Sequence, residues 1–214
     1  HTLSLHDALP ISFKISDTTI YRYVKEIEDE LPVQKGNIFN AFDLDDERDK
    51  ISEYLKNKGY YYFTKDYIFM EVDTNFTVRK ANIDIRIENV LNPLTQKMEP
   101  HKRYFINDIY IYPKGTSLNG LDIDTVTHTF KAGRRYNDES FKFLFSGDPK
   151  IRFKTFDDMV HIQTNQPYNL HSVTQTYKSL NNLKIYNLTN IDFEPVESDN
   201  DSINLLNCNI ILNR

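Results

Sequence analysis

LKNKGYYYF, residues 55–63, runs a helical pattern into a single glycine and then four consecutive aromatic rings. The segment before it, DLDDERDKISEYLKNK, carries Asp43, Asp45, Asp46 and Glu47 at its start and Lys56 and Lys58 at its end. That is the charge order a helix dipole favours. It predicts a helix over residues 44–58, capped by Asp43, with Leu44, Ile51, Tyr54 and Leu55 facing inward. Gly59 then falls at C′, where positive φ lets the chain leave a helix without a Cβ clash. Tyr60, Tyr61, Tyr62 and Phe63 read as extended chain packed beneath helices, and DYIFMEVD continues it. Ile68, Met70 and Val72 alternate there with Phe69, Glu71 and Asp73.

Outward from this stretch the same logic holds. ANIDIRIEN alternates Ile83, Ile85 and Ile87 with Asp84, Arg86 and Glu88, a half-buried strand. Upstream, DTTIYRYVKEIEDEL places Ile20, Val24, Ile27 and Leu31 on one helical stripe over residues 17–31, with Asp17 or Thr18 as cap. Residues 13–16 are the remnant of a strand before it. LPVQKGNIFN, with Pro32 and Gly36, is a loop between the helices, and DTNFTVRK a turn between the strands. The unit reads strand, helix, helix, strand, strand.

LNPLTQKMEPHK reads as a linker, assigned to residues 93–100, and the same order then recurs. RYFINDIYIY is a strand, FDDMVHI a short helix, and NLHSVTQTYKSLNN a longer one capped by Asn169 with stripe Leu170, Val173, Tyr177 and Leu180. YNLTNIDFEPV and SINLLNCNIIL are two closing strands. Leu44 and Ile51 match Leu170 and Tyr177 at an offset near 126, so the chain contains a divergent structural repeat. An insertion, residues 113–150, holds VTHTF and SFKFLF as a hairpin joined by KAGRRYND, with Phe141, Phe143 and Phe145 on one face.

The first residues need separate treatment. HTLSLHDALPI back-translates codon for codon to a widely used sequencing-library adapter, whose next base also suits the codon of Ser12. Residues 1–12 are therefore read as adapter-derived and kept out of the fold and of any site. The first repeat is residues 13–92 with its opening strand truncated, and the second is residues 101–214.

Composition narrows the chemistry. With 27% charged and 39% hydrophobic residues, 214 residues suffice for one large or two small cores. Net charge is −5 without a basic tract, which argues against a nucleic-acid surface. No apolar run reaches the roughly 18 residues of a membrane helix. The single Cys208 excludes an internal disulfide and shares strand parity with Leu206, Ile210 and Leu212, so it reads as a buried hydrophobe. His101, His128, His161 and His171 lack ligand-spaced partners, so no metal is implied. Asp122 and Asp124 lack the glycine and closing glutamate of a calcium loop and read as a turn. Asn75, Asn187 and Asn200 head Asn-x-Ser/Thr triplets that an Asn-rich chain produces by chance. No nucleotide, hydrolase or zinc motif is present, and no catalytic residue or cofactor is assigned.

ERDKISEYLKNKGYYYFTKDYIFMEVDT resembles the polypeptide-transport-associated (POTRA) repeats of the BamA/TamA outer-membrane protein family, in its acidic-Arg helix start, its helical leucine and its Gly-Tyr before an aromatic strand. PYNLHSVTQTYKSLNNLKIYNLTNIDF is similar to that family's barrel-proximal repeat at Tyr168, Thr176, Tyr177, Leu180 and Leu183. It has Gln166 and Pro167 where the family often has Gly, and Asn181 and Asn182 must supply the helix-ending turn. The resemblance implies an α+β fold of two tandem βααββ units. Each is a small mixed sheet covered on one face by two helices, and the second carries an inserted hairpin. It also implies a non-enzymatic fragment at the periplasmic face of a bacterial outer membrane, anchored by a β-barrel beyond Arg214. Its expected partners are unfolded outer-membrane proteins or assembly-machinery subunits, bound by strand addition. The expected binding edges are Ile68, Phe69, Met70 and Glu71 in the first unit, and Thr189, Asn190, Ile191, Asp192 and Phe193 in the second. Two other functions fit the residues: a docking module for one dedicated partner in secretion or lipid export, and a carbohydrate-binding domain using the aromatic insertion as platform.

Overall fold

The computed structural model describes residues 7–34, 41–75, 80–113, 124–130, 139–146, 152–184, 188–197 and 203–213. Gly36, residues 76–79 of the DTNFTVRK turn, Asp122, the KAGRRYND connection, Asn187 and Asn200 lie outside the described residues. The chain divides into two compact units, His1–Lys56 with Tyr62–Lys102, and Asn57–Tyr61 with Arg103–Arg214.

In the first unit, strand β1 (Asp7–Ile15) is followed by helix α1 (Thr18–Glu26), helix α2 (Ala41–Asn57), and strands β2 (Ile68–Asn75) and β3 (Lys80–Ile87). The sheet order is β1-β3-β2, with β1 parallel and β2 antiparallel to the central β3. β1 reaches back through Asp7, beyond the 13–16 remnant, because β3 offers an open flank along its whole length. Its register slips between Ala8 and Ile11, across Pro10, which has no N–H to give the ladder. The isoleucine alternation is obeyed: Ile83 and Ile85 are fully buried and Ile87 nearly so.

The α1 stripe is also obeyed, with Ile20, Val24, Ile27 and Leu31 all buried. The helix is shorter than its stripe. It ends at Glu26, and a 3₁₀ turn at Glu28–Glu30 delivers Leu31, whose ψ of 147° is the extended conformation that the following Pro32 demands. Asp17 caps α1 by accepting from the backbone N–H of Thr19 at 2.8 Å and Ile20 at 3.0 Å. α2 begins three residues before the predicted start, so Asp43 lies in its first turn.

Gly59 has φ 104°, as its C′ position requires. The aromatics after it are not extended: a turn and a 3₁₀ turn at Lys65–Tyr67 precede β2. Tyr60 and Phe63 are buried, Tyr61 half-buried and Tyr62 exposed. The linker is likewise structured. Strands β4 (Val90–Leu91) and β5 (Met98–Glu99) form a small hairpin. Asn92 Oδ1 accepts from Leu94 and Thr95 N–H within it, and Asn92 Nδ2 donates to Glu99 at 2.6 Å.

The second unit contains strands β6 (Tyr104–Tyr112), β7 (Asp124–Phe130) and β8 (Glu139–Phe145), helix α3 (Leu170–Asn182), and strands β9 (Leu188–Val196) and β10 (Asn204–Asn213). Its sheet order is β7-β8-β6-β10-β9. Within it, β6-β10-β9 reproduces the parallel and antiparallel pairing of β1-β3-β2. The inserted hairpin, β7 against β8, joins the sheet beside β6 and sends Phe141, Phe143 and Phe145 into the core. Those rings therefore supply no exposed sugar platform.

Three details differ from the sequence reading. FDDMVHI forms no α-helix, and only a 3₁₀ turn at Phe153–Phe156 precedes the loop to α3. Tyr177 points outward at 45% exposure, while Thr176 is fully buried in its stead. Thr176 Oγ1 donates to Ser172 O and accepts from His161 N–H, each at 2.8 Å, so a polar side chain occupies the core stripe with its valences met. Finally, α3 runs to Asn182, and Lys184, at φ 53°, takes the left-handed position expected of the asparagines.

Candidate functional site

Strand β2 is an outer strand of its sheet, hydrogen-bonded to β3 on one flank. Its start is held by Arg48 on α2, whose Nε donates to Ile68 O at 3.1 Å and whose Nη2 donates to Lys65 O at 3.0 Å. Of the four residues predicted here, Ile68 is buried, Met70 half-buried on the helix side, and Phe69 and Glu71 exposed on the other face. Glu71 receives Arg86 Nη2 at 2.6 Å. Ile68 is thus engaged by its buried side chain and by Arg48 at its carbonyl, while Phe69 and Glu71 offer exposed side chains.

Strand β9 occupies the same place in the second sheet, paired only with β10. Thr189 is buried, and its Oγ1 has no hydrogen-bond partner among the described residues. Ile191 and Phe193 are half-buried and pack on the core, and Asn190 and Asp192 face outward, joined at 2.8 Å. The opposite flank of β6 is closed. Residues 165–168 pair with its first half (Ile106 N to Gln166 O 2.9 Å, Asn165 N to Ile106 O 2.7 Å, Tyr168 N to Tyr104 O 2.9 Å), and β8 pairs with its second half. The outer strands of the second sheet are therefore β9 and β7.

The histidines find local partners. His101 lies between Phe63 and Tyr67 and donates from Nε2 to Glu88 O at 2.8 Å, and burial lowers its pKa. His128 meets Asp157 at 3.0 Å, His161 meets Ser179 at 3.1 Å, and His171 meets Gln175 at 3.3 Å. Cys208 is fully buried, which pushes its thiol pKa up and keeps it unreactive. A cleft of about 300 Å³ in the second unit is lined by neutral groups, among them Gln163, Gln166, Asn169 and Ser172, and by His161. Among the described residues that line it there is no carboxylate.

Sequence reasoning missed two residues. Glu47 was assigned to the charged first turn of α2, yet it is fully buried. Its Oε2 accepts Val33 N–H at 2.9 Å, its Oε1 has no partner among the described residues, and burial raises its pKa to about 7. The available signal was its position four residues before Ile51 on the inner stripe. Arg48 was noted as part of a motif, but its hold on β2 depends on the 3₁₀ turn at Lys65–Tyr67, which no local pattern announced.

Residues 19–89 match the POTRA family, described as a surface antigen variable number repeat. Among solved structures, BamA from Haemophilus ducreyi lacking POTRA domains 1–3 aligns with 96% of this chain at 11% identity and a TM-score of 0.58, which establishes a shared fold. The chain spans 29% of the length of that BamA chain. BamA POTRA3-5 from Haemophilus influenzae aligns with 97% of this chain and 96% of its own length at 11% identity and a TM-score of 0.36. Omp85 POTRA1-3 from Anabaena aligns with 99% of this chain and 66% of its own length at 10% identity and a TM-score of 0.35. No curated protein sequence matches the chain.

Proposed function

From a POTRA repeat at residues 19–89 and a fold shared with BamA, we propose that this chain is a non-enzymatic part of an outer-membrane assembly protein of the BamA/TamA kind, placed in the periplasm. It binds unfolded outer-membrane proteins or assembly subunits by strand addition at β2 and β9. The observation that carries this reading is the position of β2: an outer strand with one flank on β3 and, among the described residues, no strand on the other, where an incoming chain can pair beyond the Ile68 carbonyl held by Arg48. Main-chain hydrogen bonds supply affinity without demanding one sequence, which suits a protein receiving many clients. No described helix is long and apolar enough to cross a membrane, which bears on helices only.

A photo-crosslinking residue at position 69 of the full chain, exposed to a mixture of unfolded outer-membrane proteins, tests this. Adducts with many different barrel proteins are the expected result. A single stoichiometric adduct assigns β2 to a dedicated partner, and no adduct at all removes strand addition at this edge.

A further inference from the structure

The two proposed edges share a charge pattern that the other outer strands lack. On β2, Glu71 and Asp73 occupy successive outward positions, and on β9, Asp192 and Glu194 do the same, all four exposed. β1 presents Ser12 and Lys14 outward, and β7 presents Thr125 and Thr127. Among the described residues, the acids are therefore particular to the strand that follows the helices in each repeat and stands at the sheet margin.

The sheets leave most of this charge unmatched. Glu71 has Arg86. Across the ladder from Asp73 lies Asn82, from Asp192 lies Asn209, and from Glu194 lies Asn207, each a neutral amide. Among the described residues, Asp73, Asp192 and Glu194 have no ion-pair partner. The helix-side faces of the same strands are apolar and half-buried: Met70 and Val72 on β2, Ile191 and Phe193 on β9.

A strand added beside β2 or β9 sets its own alternate side chains about 5 Å from these, where opposite charges attract and like charges repel. We propose that both edges select an extended polypeptide segment whose alternate residues are Lys or Arg on the outward face and apolar on the other. The inference rests on strand addition at β2 and β9 and names the chemistry those edges recognise.

The test uses the full chain and three eight-residue fluorescent peptides. All carry valine at every second position, with lysine, glutamate or threonine between, and binding is read by anisotropy and by crosslinking from position 69. The lysine peptide is expected to bind on the order of tenfold more tightly than the glutamate peptide, as two or three matched rather than opposed cross-strand pairs imply. That preference should fade in 1 M salt, where screening reaches within about 3 Å. The triple variant D73N/D192N/E194Q, neutral and surface-located, should reduce it to about twofold. Equal binding of all three peptides, or a preference for glutamate, overturns the charge selection while leaving strand addition standing. If no peptide binds or crosslinks, the strand-addition reading falls, and this one with it.

Discussion

Glu47 shows how far one residue can depart from the reading its neighbours suggest. It sits among acids that favour a helix N-terminus, yet it alone of that group turns inward and is desolvated. Asp43 nearby raises its pKa further, and the Val33 N–H and Lys50 offset this only in part. A folded pKa near 7 against an unfolded value of about 4.5 means that the folded state holds the proton more tightly. Stability is then complete below about pH 4.5 and is lost as pH rises through 7, by on the order of 3 kcal/mol. Urea unfolding at pH 5 and pH 8 should show that decline, and Glu47→Gln, which cannot ionise, should flatten it. A slope unchanged in the variant would place the titration on another group.

At the scale of elements, the strands were legible and the helix ends were not. Period-2 alternation survives into burial because a strand's faces are set by its own backbone, whatever lies beside it. Helix length was harder: the apolar stripe of α1 persisted past the point where Pro32 forces an extended residue. On α3, Tyr177 was placed inward because it is large and correctly spaced, but the fully bonded Thr176 fills that slot. What fixes the start of β2 is Arg48, which holds the Ile68 and Lys65 carbonyls with one rigid fork. Arg48→Met should cost about 1–3 kcal/mol, because both oxygens lose a charged donor. It should speed hydrogen exchange at the start of β2 while leaving β10 protected. Arg48→Lys should rescue little, since one ammonium cannot serve both acceptors in the same geometry.

On the scale of the whole molecule, the second unit is not continuous in sequence. Asn57–Tyr61 belongs to it. Gly59 O accepts Tyr104 N–H at 2.8 Å, Asn57 Oδ1 accepts His171 N–H at 2.8 Å, and Tyr61 packs against Tyr104, Tyr168 and Phe193 at ring centroid distances of 6.3, 4.9 and 5.5 Å. A Cβ on Gly59 would meet Pro167 and Tyr104 O at 3.3 Å, so this close approach adds to the demand already made by positive φ. Tyr61→Ala should therefore destabilise the second unit by roughly 1–3 kcal/mol, less than a fully buried aromatic would, and the loss should appear in exchange of β9 and β10 amides. Tyr62→Ala, at a 54% exposed position, should stay within about 0.5 kcal/mol. Equal effects would mean that the aromatic run acts as one undivided cluster.

The amino-acid order by itself determined the alternation of the isoleucine strand, the apolar stripe of α1, the caps Asp17 and Asn169 and the glycine turn after α2. Each is set by a residue and its near neighbours. Only the tertiary structure decided which strands stand at the sheet margins, that the inserted hairpin closes the flank of β6, that Glu47 is desolvated, and that Asn57–Tyr61 packs with residues more than forty positions away. Those outcomes depend on which distant surfaces meet, and hydrophobic burial rewards any well-packed meeting without recording it in local sequence.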